Sequence, residues 1–418
     1  MPGQVERTFP IADVRAAFPS LELRDAGTPR IYLDNPAGTQ VPRAVADAMT
    51  RSLLETNANL GGSFSTSRLA GGVVAEGYRA AADFVGAPDE DEIVVGPSMT
   101  ALTFAISRSL AHSIDPGDEI VVTAMDHDGN VAPWLAAAQE RGAVVRWVAF
   151  DRETWRIEPA ALKESLSRKT RIVALNYASN LTGSVNDVRA LCELVREAGA
   201  LSYVDAVQYA PHGAIDVAAI GCDFLACSAY KFFGPHVAVV WGRAALLKSL
   251  HPYKVRPQSD APPAKFEMGT PQIELFAGLT AAVDHLASLA PAHDTRRARL
   301  RAAFAATSAW EERLAERLIA GLRRRKGVEI VGVTDYPGLP HRVPTVSFTH
   351  ASVRPSHVAA ELARRGVFVW SGHNFALETV RRLGIDEEEG VVRIGAAHYN
   401  TIDEIDAALE ALEGVLSA

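Results

Sequence analysis

The chain has 418 residues, 42 basic and 50 acidic side chains, a formal net charge of −8 and three cysteines. The length favours two domains over a single core, and an acidic balance without a basic cluster argues against a nucleic-acid partner. Cys192, Cys222 and Cys227 show neither C-x-x-C spacing nor pairing with histidines, so no disulfide framework or metal site is expected.

In chain order, residues 1–30 read as a short helix and a turn. The start, M-P-G-Q-V-E-R, has no apolar leader, and no apolar run reaches membrane-spanning length. With so few cysteines, the expected location is the cytoplasm, away from membranes. Ile31–Asp34 predicts a short strand before the turn Asn35-Pro36-Ala37-Gly38. Asn57–Ser67 predicts a loop, and Val73–Val85 a helix. Glu92–Val95 predicts a strand entering Gly96-Pro97-Ser98-Met99-Thr100, with a helical pattern from Leu102. The first amides of a helix lack partners and carry partial positive charge, so this turn is a candidate anion site. Ser98 and the amides of Met99 and Thr100 are the candidates for holding a phosphate. Glu119–Thr123 predicts a strand ending at Met125-Asp126-His127-Asp128-Gly129-Asn130. Val144–Phe150 and Arg171–Leu175 continue the alternation, the second ending in the polar run Asn176–Gly183.

The stretch from Tyr203 to Arg243 organises the chain. Two apolar runs, one ending at Asp205 and one spanning Asp223–Ala229, have the length and content of buried strands. If they are parallel neighbours, Asp205, Gln208, Ser228 and Lys231 emerge at one carboxyl edge, where open α/β sheets bind ligands. The residue types suggest pyridoxal 5'-phosphate (PLP). A lysine in an apolar site loses its proton readily and can hold the cofactor as a Schiff base. Asp205 would pair with the pyridine nitrogen and keep the ring an electron sink. Gln208 could reach the ring hydroxyl.

Beyond Lys231, Val237–Trp241 predicts a strand and Lys248–Lys265 a proline-rich connection. A charged helix over Asp294–Lys326, with the basic run Arg323–Lys326 as its solvated end, leads to a smaller unit. That unit reads as strand Thr345–Phe348, helix Pro355–Arg365, strand Val367–Trp370, a loop, a helix, strand Gly390–Ile394 and a final helix from Ile402. In Val391-Val392-Arg393-Ile394-Gly395 an arginine interrupts an apolar strand. A buried guanidinium is costly without a partner and grips a carboxylate through two parallel hydrogen bonds. The α-carboxylate of an amino-acid substrate is the expected partner, and an internal ion pair the alternative.

These motifs resemble the class V aminotransferase-fold PLP enzymes, most closely the group II cysteine desulfurases and selenocysteine lyases. Those carry D-x-x-Q, then S-[GA]-H-K followed by G-P. This chain has Asp205-Ala-Val-Gln208 and Ser228-Ala-Tyr-Lys231 before Gly234-Pro235, with Tyr230 in place of the usual histidine. The likeness runs from Tyr32-Leu33-Asp34 to Tyr399-Asn400. It implies that His127, in H-x-x-N-x-x-P-W, stacks on the cofactor ring, and that Asn180 bonds the ring oxygen. It places the loop Asn57–Ser67 near the subunit interface. Thr270, in F-E-x-G-T-P, would reach the phosphate of a second subunit, which makes the protein a homodimer with shared active sites. Arg393, in R-[IAV]-[GS]-x-x-x-Y-N, would hold the substrate carboxylate.

The fold implied is α/β, PLP-dependent transferase type I: a large domain with a mostly parallel seven-stranded sheet and a small α+β domain. We expect residues 31–290 to form the large PLP-binding domain, and 1–30 with 291–418 the small one. The expected catalytic residues are Lys231, Asp205 and His127. Cofactor contacts are expected from Ser98, Met99, Thr100, His127, Asn180, Asp205, Gln208, Ser228, Lys231 and Thr270, and substrate contacts from Arg393, His373 and Phe375, with no metal. In the resembling family a loop of the form R-x-G-x-x-C-A carries the persulfide cysteine. Here it reads Trp370-Ser371-Gly372-His373-Asn374-Phe375-Ala376, so Phe375 stands at the cysteine position and Trp370 at the arginine. The expected chemistry is Cα deprotonation with β-elimination, of C–S lyase type, without a persulfide. Transamination, epimerisation, true desulfuration and a non-catalytic PLP-fold binding protein are the alternatives.

Overall fold

The computed structural model describes residues 9–417. The expectation about the segment M-P-G-Q-V-E-R therefore lies outside the described residues. Seven strands form the main sheet: β1 (Ile93–Gly96), β2 (Glu119–Thr123), β3 (Val144–Val148), β4 (Thr170–Asn176), β5 (Leu201–Asp205), β6 (Phe224–Ser228) and β7 (Ala238–Gly242). Their order is β1-β7-β6-β5-β4-β2-β3. Strand β7 runs antiparallel to both its neighbours, and the remaining pairs are parallel.

The inner strands β5, β6 and β7 read as apolar runs because both faces of the sheet are covered there, whereas edge strand β3 is half exposed. Successive residues alternate between two apolar clusters. Val204, Leu225, Cys227 and Val239 enter one, while Tyr203, Phe224, Ala226 and Val240 enter the other. This is the twofold period of a strand, invisible in the sequence because both sides are dry. Among the described residues, no helix is long and apolar enough to cross a membrane.

The second sheet is antiparallel, with strands β8 (Val328–Val331), β9 (Thr345–His350), β10 (Trp370–Gly372) and β11 (Val391–Gly395) in the order β8-β9-β11-β10. A separate core forms between it and the helices Arg296–Arg323 and Ile402–Leu416, with Leu314, Leu318, Phe348, Ile394 and Leu409 inside. The final helix starts at a capping box. Thr401 accepts from the Glu404 amide, and the Glu404 carboxylate accepts from the Thr401 amide.

Several details depart from the sequence reading. The expected strand Val367–Trp370 is two pieces: Val367–Phe368 pairs in parallel with Ile31–Tyr32, and β10 pairs with β11. Ile31 and Leu33 pack in the second core, while Tyr32 packs against the main-sheet cluster. Conversely, Val14, Phe18 and Leu21, expected with the small unit, lie in a cluster of the main sheet. The helix expected from Val73 begins at Ser65, because the polar stretch Ser65-Thr66-Ser67 forms its first turn.

The motif Tyr399-Asn400 ties the N-terminal turn to β11. Asn400 accepts from Asn35 Nδ2 at 3.0 Å and from the Ala397 amide at 2.8 Å, and donates to the Tyr32 carbonyl at 3.0 Å. Gly395 allows the close approach. A Cβ there would sit 2.1 Å from Pro36 Cγ. The turn 34–38 is thereby pressed against the carboxyl edge of the main sheet.

Candidate active site

Strands β4, β5 and β6 end together, with Asn176 opposite Asp205 and Asp205 opposite Ala226. Asp205, Gln208, Ser228 and Lys231 line one cavity beside Ser98, Met99, Thr100, His127 and Asn180. Lys231 follows β6 on a short 3-10 turn. That turn bends back at Phe233, a fully buried residue held at φ +70°. A bulky residue in the left-handed region is strained and persists only where packing fixes it. Phe18, His398 and Tyr399 supply that packing.

The Lys231 amine donates to the Pro36 carbonyl. Burial, then the nearby Arg393 cation, lower its pKa to about 7. The Asp205 carboxylate accepts from the Val207 amide at 2.9 Å through Oδ1. Burial raises its pKa to about 6, against the opposing pull of that amide and of Lys231. A lysine that sheds its proton near neutrality thus lines one cavity with a buried carboxylate.

His127 lies beyond the end of β2 and accepts from the Gly129 amide through Nδ1 at 2.9 Å. Burial, then Lys231 and Arg393, depress its pKa to about 4, so its ring is neutral. The other motif residues support it. Trp134 Nε1 donates to Asn130 Oδ1 at 3.3 Å, and Asn130 Nδ2 donates to Asp126 at 2.7 Å. Ser98 caps the helix Met99–Ala111 by accepting from the Ala101 amide at 3.2 Å. The Met99 and Thr100 amides, in the first turn, have no intrahelical acceptor.

Arg393 is buried on β11. Its Nη2 lies 3.3 Å from Asp34 Oδ1, and its Nη1 donates to the Asn180 carbonyl at 3.2 Å. Both contacts are long for a charge-assisted pair, which settles near 2.7–2.9 Å. Its Nε has no partner among the described residues. The internal ion pair weighed from the sequence is therefore present, but it leaves the guanidinium under-satisfied. Asp34 was quoted from the sequence only as part of a motif. Nothing in the linear pattern places it against a strand residue 359 positions away.

An outer cavity adjoins the inner one, sharing His127, Asn180, Tyr230 and Lys231 and adding Arg393, Trp370, His373 and Phe375. Phe375 stacks on His127, with centroids 5.4 Å apart and an interplanar angle of 26°. Asn374 and Phe375 sit at φ +52° and +58°, a sharp local turn. The His373 Nδ1 accepts from the Phe375 amide at 3.0 Å. Tyr230 stacks on His236, with centroids 5.1 Å apart. All three cysteines are buried, and burial pushes each thiol up, Cys192 to about 12.

Two expected residues behave differently from the simple reading. Gln208 spends its amide on Thr345 Oγ1 at 3.0 Å, leaving Oε1 buried and unpartnered. Thr270 is exposed and does not line either cavity of its own chain; it borders another space with Gly96, Pro97 and Ala101.

The inner cavity fits a phosphorylated pyridine aldehyde. Buried Asn180 Oδ1 and Gln208 Oε1 lack partners among the described residues, and buried polar atoms are seldom left so without a ligand or water. A free helix start, a buried carboxylate and a lysine of lowered pKa complete the set.

The Aminotransferase class-V family profile matches residues 31–408. The chain is 35% identical over 420 residues to the aminotransferase-like protein FGM3 of Gibberella zeae, covering 98% of this chain and 99% of that one. It is 32% identical over 421 residues to a probable cysteine desulfurase of Streptomyces coelicolor, covering 96% of each. Among solved structures it resembles the cysteine desulfurase CsdA of Escherichia coli, with a TM-score of 0.85 at 27% identity, covering 98% of this chain and 99% of that one. The cysteine desulfurase of Thermococcus onnurineus gives a TM-score of 0.86 at 27% identity, covering 97% and 98%. The site geometry and these likenesses agree: the chain belongs to the class V aminotransferase family, as a PLP-dependent enzyme of the cysteine desulfurase-like type with the type I fold.

Proposed function

We propose that this enzyme cleaves a C–S bond of an amino acid by β-elimination, using Lys231 and no cysteine persulfide. The observation that carries the reading is the outer loop. Phe375 stands over His127 at the mouth of the cavity, and Cys192, Cys222 and Cys227 are buried in a helix, a connecting segment and a strand of the main unit, respectively. A phenyl ring cannot attack sulfur, and buried thiols of raised pKa are poor nucleophiles.

PLP, when bound, supplies an electron sink for the pair left by a broken Cα–H bond. Lys231 would be its attachment point until the substrate's own amino group takes that place and frees Nζ to act as a base, and Asp205 would be the carboxylate for the pyridine nitrogen. Ser98, the Met99 and Thr100 amides, Ser228, Asn180 and Gln208 hold its polar edges. His127 offers a neutral ring face. Arg393 grips the substrate α-carboxylate and so fixes the Cα–H bond relative to Lys231 Nζ. That amine, poised near neutrality, takes the Cα proton and returns it to the product. The Cβ–S bond then breaks, and the electron pair leaves with sulfur as a thiolate. Lys231 would then regain its attachment and release the enamine, which takes a proton on Cβ and is hydrolysed by water to a 2-keto acid and ammonia. Trp370 and Phe375 make the mouth apolar and suit a side chain bulkier than that of cysteine. The test is a panel of amino acids offered to the PLP-loaded protein. Pyruvate plus a thiol supports elimination. Keto acid formed with amino-group transfer, or a racemised amino acid, replaces the reading with transamination or epimerisation.

The enzyme works as a homodimer with shared sites. Thr270, exposed and outside its own cavity, serves the phosphate of the second subunit. Leu54, Phe64, Leu69 and Met268, all exposed, give an apolar surface for the contact. Thr270→Ala should weaken PLP retention about tenfold, the loss of one hydrogen bond to a charged group. Mixing Lys231→Ala with Thr270→Ala protein should restore one intact site per dimer. An active monomer in sedimentation would refute the shared site.

A cysteine-free reaction also predicts the outcome of a triple Cys→Ser variant. It should keep turnover within about threefold of the parent. Each buried hydroxyl costs about 1–3 kcal/mol of stability if unpaired, so PLP content is measured alongside. Lost turnover at full PLP content would return a thiol to the mechanism.

A further inference from the structure

We propose that the outer cavity selects an amino acid whose side chain ends in a cationic group, held by Glu388 beside the faces of Trp370 and Phe375. The inference rests on the reading of Arg393 as the partner of the substrate α-carboxylate. Glu388 lies in the acidic turn Asp386-Glu387-Glu388-Glu389. The turn is rigid. Asp386 Oδ1 accepts from the Glu388 and Glu389 amides, both at 2.9 Å, and the Asp386 carbonyl accepts from the Gly390 amide at 2.8 Å. Three of its four carboxylates are engaged. Asp386 holds those amides, Glu387 pairs with Arg381 at 2.8 Å, and Glu389 accepts from Ser356 at 3.1 Å. The Glu388 carboxylate alone has no partner among the described residues, and it lines the cavity that Arg393 closes at depth.

The turn is held against the aromatic loop. Gly390 and Gly372 pair as an isolated parallel bridge, and a Cβ at Gly390 would fall 2.0 Å from the Gly372 carbonyl carbon. Only glycine fits there, so the acidic turn packs backbone to backbone against the loop 371–375. Trp370 and Phe375, 56% and 65% exposed, form the apolar rim. The cavity is thus charge-ordered: a cation with an unpartnered Nε at depth, aromatic faces at the rim, and an unpaired carboxylate among them. A ligand complementary to that order has its carboxylate at one end and a cation at the other. Aromatic faces add attraction for a cation and none for an anion.

The test is a spectral titration of the PLP-loaded protein with S-(2-aminoethyl)-L-cysteine and S-propyl-L-cysteine, which have similar length and differ in terminal charge. The aminoethyl compound should bind about fivefold more tightly, the scale of one exposed ion pair with a cation–π contact. Glu388→Gln should bring the affinity ratio to about one, and high salt should compress it in the parent. Equal affinities in the parent, or a ratio unmoved by Glu388→Gln, overturn the proposal. Affinity is read from the spectral change on rapid mixing, before pyruvate accumulates, so a preference for the aminoethyl compound without later pyruvate formation would sink the elimination reading and leave this one standing.

Discussion

Lys231→Ala should abolish covalent capture of PLP and lower turnover by about 10⁴-fold or more, because in the proposed mechanism one amine both holds the cofactor and moves the Cα proton. In the parent, borohydride should fix the cofactor to the peptide containing Lys231. The pH dependence follows from burial. Only the neutral amine attacks an aldehyde, and the Lys231 pKa is lowered to about 7. The rate of PLP capture by the cofactor-free protein should therefore rise as pH increases through about 7 and level off above it, well short of the range where a free lysine titrates. Stopped-flow absorbance measures this. Labelling of another lysine, or a rate still climbing steeply at pH 10, would show that this lysine is not the one.

Much of the scaffold was legible because burial on both faces turns strands into continuous apolar runs. Those runs stop at Asp205 and Ser228, where the sheet ends and polar atoms meet the cavity. The breaks in pattern mark the edge. Less legible were pairings made by folding distant segments together. The turn 34–38 reaches Lys231 only because Tyr399 and Asn400 anchor it to β11. The split of Val367–Trp370 into two strands was hidden because both pieces keep an extended backbone, while their partners, Ile31–Tyr32 and β11, lie far apart in sequence. Strand β8, with its half-buried alternation at the edge of the small sheet, was missed entirely. The partner of Arg393 was left open for the same reason, since periodicity reports burial and not which carboxylate comes near.

Arg393→Ala should lower kcat/KM for every amino-acid substrate by about 10²–10³-fold, with PLP content unchanged. Removing one partner of a buried charged pair costs about 3–5 kcal/mol. Part of that loss is structural, because Asp34 would be left as a buried carboxylate without its cation. Burial already raises the Asp34 pKa, and Arg393 is the largest influence holding it down. The double variant Arg393→Ala with Asp34→Asn separates the two roles. It should recover most of the lost thermal stability and none of the lost kcat/KM. Recovery of both would make Arg393 a purely structural partner of Asp34. Its unpartnered Nε and two long contacts argue for the substrate role.

The most direct test of a cysteine-free elimination is the intact mass of the wild-type polypeptide, quenched during turnover on the substrate that the panel identifies. We predict an unmodified chain, with thiol and pyruvate accumulating together in solution. A sulfur atom added to Cys192, Cys222 or Cys227 during turnover would contradict the account and restore a persulfide mechanism.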